Sequence, residues 1–132
     1  MGMDLVAVGD DGIGFHANWS GWSFLCTLLD ALECNVSELA GSNDGDLVSA
    51  DNAEAFGREV LAHIDEIHVL HISSDVSTFD RDIPVLARGD TIAEVSGHYG
   101  VEVSCLRDIP DFYEFVERFG RFCLGSGGFR QF

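Results

Sequence analysis

Residues 42–54, SNDGDLVSADNAE, gather Asp44, Asp46, Asp51 and Glu54 with the amides Asn43 and Asn52 around Gly45. Oxygen-rich groups so close together suit a hard cation such as calcium or magnesium. An EF-hand loop needs acids at its first, third and fifth positions, with glycine sixth and glutamate twelfth. Setting Gly45 sixth puts Ala40 first, and the pattern fails. The same residues make an Asn-Asp-Gly turn, followed by a helix with Asp51 as N-cap and Glu54 closing a capping box. The turn is the preferred reading. A divalent metal on Asp44, Asp46 and Asp51 is the alternative, and a phosphate is disfavoured beside those carboxylates.

His63, His68 and His71 form the second cluster. On a helix, His68 and His71 share a face at spacing i, i+3, which can hold a transition metal with Asp65 or Glu66 nearby. The H-E-x-x-H pattern is absent, so surface or half-buried histidines are the ordinary outcome. Nucleophilic catalysis would need a serine or cysteine beside a base, and no G-x-S-x-G elbow occurs. GSGGF at 125–129 follows a helix rather than leading into one, so it reads as a C-cap and not as a phosphate cradle. Trp22 belongs to a core stripe, while Trp19, beside His16 and Asn18, reads as packing first and as a pocket wall second.

The elements that must position these groups follow from periodicity. DLVAV at 4–8 and IGF at 13–15 flank GDDG as a hairpin. From Trp19 the period turns helical, with Trp22, Leu25, Cys26, Leu29 and Leu32 on a face widened by Phe24 and Leu28. VSELAG adds a turn capped by Gly41. Phe56, Val60, Ile64 and Ile67 line a second helix, and HVLHIS at 68–73 fits either its continuation or a strand. Residues 73–90 hold many turn formers and read as a long loop. TIAEVSGHYG at 91–100 suggests a short helix broken at Gly97 and Gly100, and VEVSCL at 101–106 alternates like a strand. Pro110 opens a last helix striped by Phe112, Phe115, Val116, Phe119, Phe122 and Cys123, with Gly125 as its left-handed cap and GFRQF as a closing strand. The prediction is a single α+β domain over 1–132. Three main helices pack on a small, mostly antiparallel sheet made by the N-terminal hairpin and the C-terminal strand.

The 132 residues carry 23 acids against seven bases, all arginine, for a net charge of −16. Such a surface repels nucleic acid and anionic membranes. It suits a salt-rich, halophile-like cytoplasm or simple solubility, and a nucleic-acid mimic would also be acidic. No apolar run is long enough for a membrane helix, and the acidic N-terminal flank does not fit a signal peptide. The four cysteines, at 26, 34, 105 and 123, have no C-x-x-C pairing and read as reduced thiols. These features predict a cytoplasmic protein.

Asn18 with Trp22 and Leu25, SNDGDLVSA at 42–50 and FGRFCLGSGGF at 119–129 resemble a family of small bacterial and phage proteins without an assigned activity. Those proteins also start Gly-Met-Asp, as Gly2, Met3 and Asp4 do. Ser23-Phe24 stands where the family has Arg-Pro, and a Cys-x-x-Cys insertion common in relatives is missing. The resemblance implies that Asn18, Trp22, Asn43, Asp44 and the Ser126–Phe129 turn are the positions to watch. The resulting expectation is an acidic binding or interaction module rather than an enzyme. It binds a protein partner or small polar ligand at Asn18, Trp22, Asn43 and Asp44 near the end of the last helix, with self-association into a small oligomer. No cofactor is expected. The alternatives are a metal-dependent hydrolase using Asp44, Asp46, His68 and His71, with His63 in the same cluster, and an acidic mimic that occupies a DNA-binding protein.

Overall fold

The computed structural model describes residues 2–9, 13–39, 44–72, 81–87, 92–93 and 102–132. The fold is α+β, as the periodicities predict. Its strands are β1 (Gly2–Ala7), β2 (Gly14–Asn18), β3 (Asp46–Val48), β4 (Ile67–Ile72), β5 (Arg81–Leu86), β6 (Glu102–Cys105) and β7 (Phe129–Gln131). Its long helices are α1 (Trp19–Ala31), α2 (Ala50–Ala62) and α3 (Pro110–Ser126). Two antiparallel sheets form, in the orders β2-β1-β7-β3 and β5-β4-β6. The sequence pattern anticipated three strands of the first, β1, β2 and β7, but not β3, and only fragments of the second.

In the first sheet, alternation puts Met3, Leu5, Ala7, Ala17, Val48 and Phe129 into the core, while Asp4, Val6, His16 and Leu47 face out. Along α1, Trp22, Leu25, Leu28 and Leu29 are buried, and α3 buries Val116, Phe119, Phe122 and Cys123. Phe15 ties sheet to helix, its ring 5.4 Å from Phe115 and 5.5 Å from Phe119. The helices α2 and α3 approach through glycines: a Cβ on Gly57 would lie 2.6 Å from the Gly120 carbonyl oxygen. Backbone contact this close needs the missing side chain.

Several boundaries differ from expectation for local reasons. The N-cap of α2 is Ser49, not Asp51, and its hydroxyl accepts from the Asn52 N–H. The helix starts earlier because Glu38 holds the cap in place, accepting from Ser49 N–H at 3.2 Å and Oγ at 2.9 Å. Residue Gly125 is helical, and the left-handed cap of α3 is Gly127 (φ 66°), two residues later. The span read as a loop contains β5, whose Pro84 pairs opposite Val69. Ile67–Ile72 is strand β4, so 68–72 of HVLHIS do not continue the helix, and α2 stops at Ala62. The Gly41 cap and most of the 91–100 helix lie outside the described residues.

Candidate functional site

A cleft of about 900 Å³ opens between the two sheets. One wall is the end of β2, with His16, Ala17 and Asn18; the other is β5, with Asp82, Ile83 and Pro84. The start of α1 contributes Trp19, Ser20, Gly21, Ser23, Phe24 and Thr27, and α3 supplies Phe112 and Phe115. Both edge strands thus line one cleft, with aromatic rings between them. A smaller cavity of about 340 Å³ shares Asp82 and Phe112 with it and is closed by Val69, His71, Ser104 and Ile109.

Local chemistry explains each wall. Asn18 ends β2 and caps α1, its Oδ1 accepting from Gly21 N–H at 2.7 Å. Gly21 permits this close entry: a Cβ there would lie 3.1 Å from both Asn18 Oδ1 and the Phe115 ring. Phe24 meets Phe112 edge-on at 4.6 Å, and Phe112 lies 5.8 Å from Phe115, so the aromatic surface continues from the cleft into the core.

Each edge strand also carries half of a carboxylate–imidazole pair. Asp4 Oδ1 contacts His16 Nδ1 at 2.6 Å, and Asp82 Oδ1 contacts His71 Nδ1 at 2.7 Å. Both pairs are directly opposite in their ladders, Asp4 with His16 and His71 with Asp82. Both occupy positions where the two backbones exchange no hydrogen bond and the side chains come closest. The carboxylate orients each ring, which turns an exposed histidine into a directed polar group. Among the described residues no arginine lines the cleft, and the chain contains no lysine. Its charged character comes from Asp82. A ligand with an apolar body and a polar or positive group matches these walls.

The residues expected to form a site separate in the structure. Trp22 is 3% exposed, its ring packed edge-on to Phe119 at 6.5 Å; the tryptophan at the cleft is Trp19, 38% exposed. Asn18 and Asp44 stand at opposite margins of the first sheet, three strand spacings or about 14 Å apart. Asn43 lies outside the described residues. Asp44 is exposed at a bend leading into β3, where the backbone is held from the other direction. Gly45 (φ 87°) donates to the Gln131 carbonyl, and its own carbonyl accepts from Arg130 at 3.1 Å. Gln131, fully buried, donates to the carbonyls of Glu38 at 2.9 Å and Asp46 at 3.2 Å. The Ser126–Phe129 turn is likewise structural. Buried Ser126 donates to the Cys123 carbonyl and accepts from Gly128 N–H, while Val8 and Gly9 N–H groups bond to this turn.

The proposed metal ligands do not converge. His68 and His71 are on a strand, where an odd separation sends side chains to opposite faces. His63 caps α2 beside Glu59 and Glu66, and Asp44 and Asp46 belong to the other sheet. Among the described residues no three His, Cys, Asp or Glu side chains are arranged to hold a metal ion.

All four thiols are unpaired. Burial pushes Cys26 up to about 12 and, with help from the Glu59 charge, Cys34 up to about 11; burial also raises Cys123. Thiols held protonated in this way are poor nucleophiles. Glu38 moves in the other direction, held below the usual carboxylate range by the Ser49 N–H, the Ser49 hydroxyl and Asn52. Among the described residues no helix is long and apolar enough to cross a membrane.

Sequence reading missed the Asp82 and Pro84 wall because β5 is short, proline-bearing and set among turn formers. The signal was a short apolar run of strand length, Ile83 to Leu86. Compared with models of known protein families, with curated proteins and with solved structures, the chain shows no significant match.

Proposed function

We propose that this protein is a cytoplasmic binding module whose site is the cleft between β2 and β5. The observation that carries this reading is the makeup of that roughly 900 Å³ space. Aromatic side chains supply area, hydroxyls and an amide supply direction, and the net charge of −16 favours ligands that are neutral or positive. In this reading Asn18 is a site residue together with Trp19 and Asp82, which take the place of Trp22 and Asp44. The resemblance to small bacterial and phage proteins without an assigned activity is compatible with a module that binds rather than catalyses.

Amide chemical-shift mapping with two simple probes tests this. Benzylamine is expected to move the signals of residues 16–27, 82–83 and 112–115, and benzoate is expected to leave them in place. Shifts confined to residues 44–54, or a preference for benzoate, would overturn the assignment.

A further inference from the structure

The hydrogen-bond parity along β2 shows which backbone groups it leaves for a partner. Ala7 N–H donates to the Ile13 carbonyl at 3.0 Å, and the register then pairs Leu5 with Phe15 and Met3 with Ala17. Bonded and non-bonded pairs alternate in an antiparallel ladder, so Ile13, Phe15 and Ala17 are the residues that bond to β1. Strand β1 obeys the same parity on its other side, where Val8 N–H donates to Gly128 and Phe132 N–H donates to Asp4. Gly14 and His16 therefore aim both backbone groups away from β1, and Asn18 aims its N–H there. Among the described strands none pairs with β2 on that side, and that side borders the cleft.

The facing edge is unequal. Ala87 N–H donates to the Glu66 carbonyl at 2.8 Å, which assigns Ile83 and Val85 to the β4 ladder and turns Asp82, Pro84 and Leu86 outward. Pro84 has no N–H, so it interrupts the donors of that edge at its middle. The helix α1 also packs against β5. An incoming strand finds a regular donor and acceptor series on β2 and a broken one on β5.

Resting on the cleft as the binding site, we propose that its occupant is an extended, basic segment of another protein, added as a strand to the free edge of β2. Backbone bonds to Gly14, His16 and Asn18 give the attachment. Alternate side chains of the segment turn inward, where apolar groups meet Phe112 and Phe115. The intervening ones turn outward past His16 and Asp4, where positive groups meet a surface with no competing lysine. A second copy of this chain is the weaker occupant, since it would bring a further net charge of −16 to the same edge.

The test uses the full chain and a short blocked peptide of alternating valine and arginine. The peptide is expected to bind and to slow amide exchange at His16 and Asn18. Methylating alternate peptide nitrogens, or replacing arginine with glutamate, is expected to weaken binding about tenfold or more. His16→Pro, which removes an outward N–H without touching the β1 ladder, is expected to weaken binding similarly, whereas His16→Ala, which keeps the N–H, weakens it less. Binding that shifts cleft signals but ignores N-methylation would overturn strand addition while leaving the cleft as the site. No binding of the basic peptide, with benzylamine still bound, would do the same. Protection of His16 and Asn18 that grows with protein concentration alone would assign the edge to a second copy and overturn the proposal.

Discussion

The corner at residues 44–54 and the cleft between β2 and β5 both collect polar side chains, but they use them in opposite ways. In the corner, polarity is consumed internally. Glu38 grips Ser49 and Asn52, Gln131 binds two carbonyls, and Arg130 holds Gly45. In the cleft, Asn18 and Asp82 keep their own bonds to Gly21 and His71 yet still line a space of about 900 Å³. A dense run of Asp, Asn and Gly in sequence is therefore weak evidence for a site, because local backbone needs use up such residues first. Groups left over at sheet edges are stronger evidence, and only topology creates them.

This contrast can be broken at the corner most severely. Gly128 has φ 99°, and a Cβ there would lie 2.9 Å from the Val48 carbonyl oxygen. Gly128→Ala is expected to cost about 3 kcal/mol from backbone strain and overpacking, read from urea unfolding. An unchanged midpoint would mean the corner is looser than its bonds imply. Ser49→Ala removes both the α2 cap and one Glu38 bond, and should cost about 1–2 kcal/mol.

The cleft predicts the reverse separation of stability and binding. Asp82→Asn is expected to change unfolding by no more than about 0.5 kcal/mol. The same variant should weaken benzylamine binding severalfold. Asp44→Ala is expected to leave that binding unchanged; a loss equal to that of Asp82→Asn would restore the acidic turn as the site.

The smallest effect concerns acid. Glu38 has its carboxyl pKa lowered in the folded state, so the stability it adds is complete above its unfolded value, near 4.5, and is lost as pH falls through the lower native value. Glu38→Gln should therefore be less stable than the parent at pH 7 and converge with it in acid. A constant difference across pH would show that packing rather than charge does the holding.

The helices were legible because their apolar residues repeat at three and four and each stripe needs one partner surface. Trp22, Leu25 and Leu29 in α1 and Val116, Phe119 and Cys123 in α3 are buried as their spacing predicts. Pro110 marks the start of α3 because a first-turn residue needs no N–H. Details failed where a distant group intervened. Glu38, remote in sequence, moved the α2 cap from Asp51 to Ser49. The strand identity of β4 sent His68 and His71 to opposite faces, and neighbours on both sides secured it.

The sequence by itself determined the α+β class, the helix stripes, the N-terminal hairpin and the acidic, lysine-free surface, since each follows from residue types and short periods. The tertiary structure alone decided which tryptophan meets the cleft, that Asn18 and Asp44 stand on opposite margins of a sheet, and that β2 and β5 face one another across a cavity. Strand order and edge exposure arise from contacts between residues far apart in the chain, and a local pattern carries no record of which strand lies beside which.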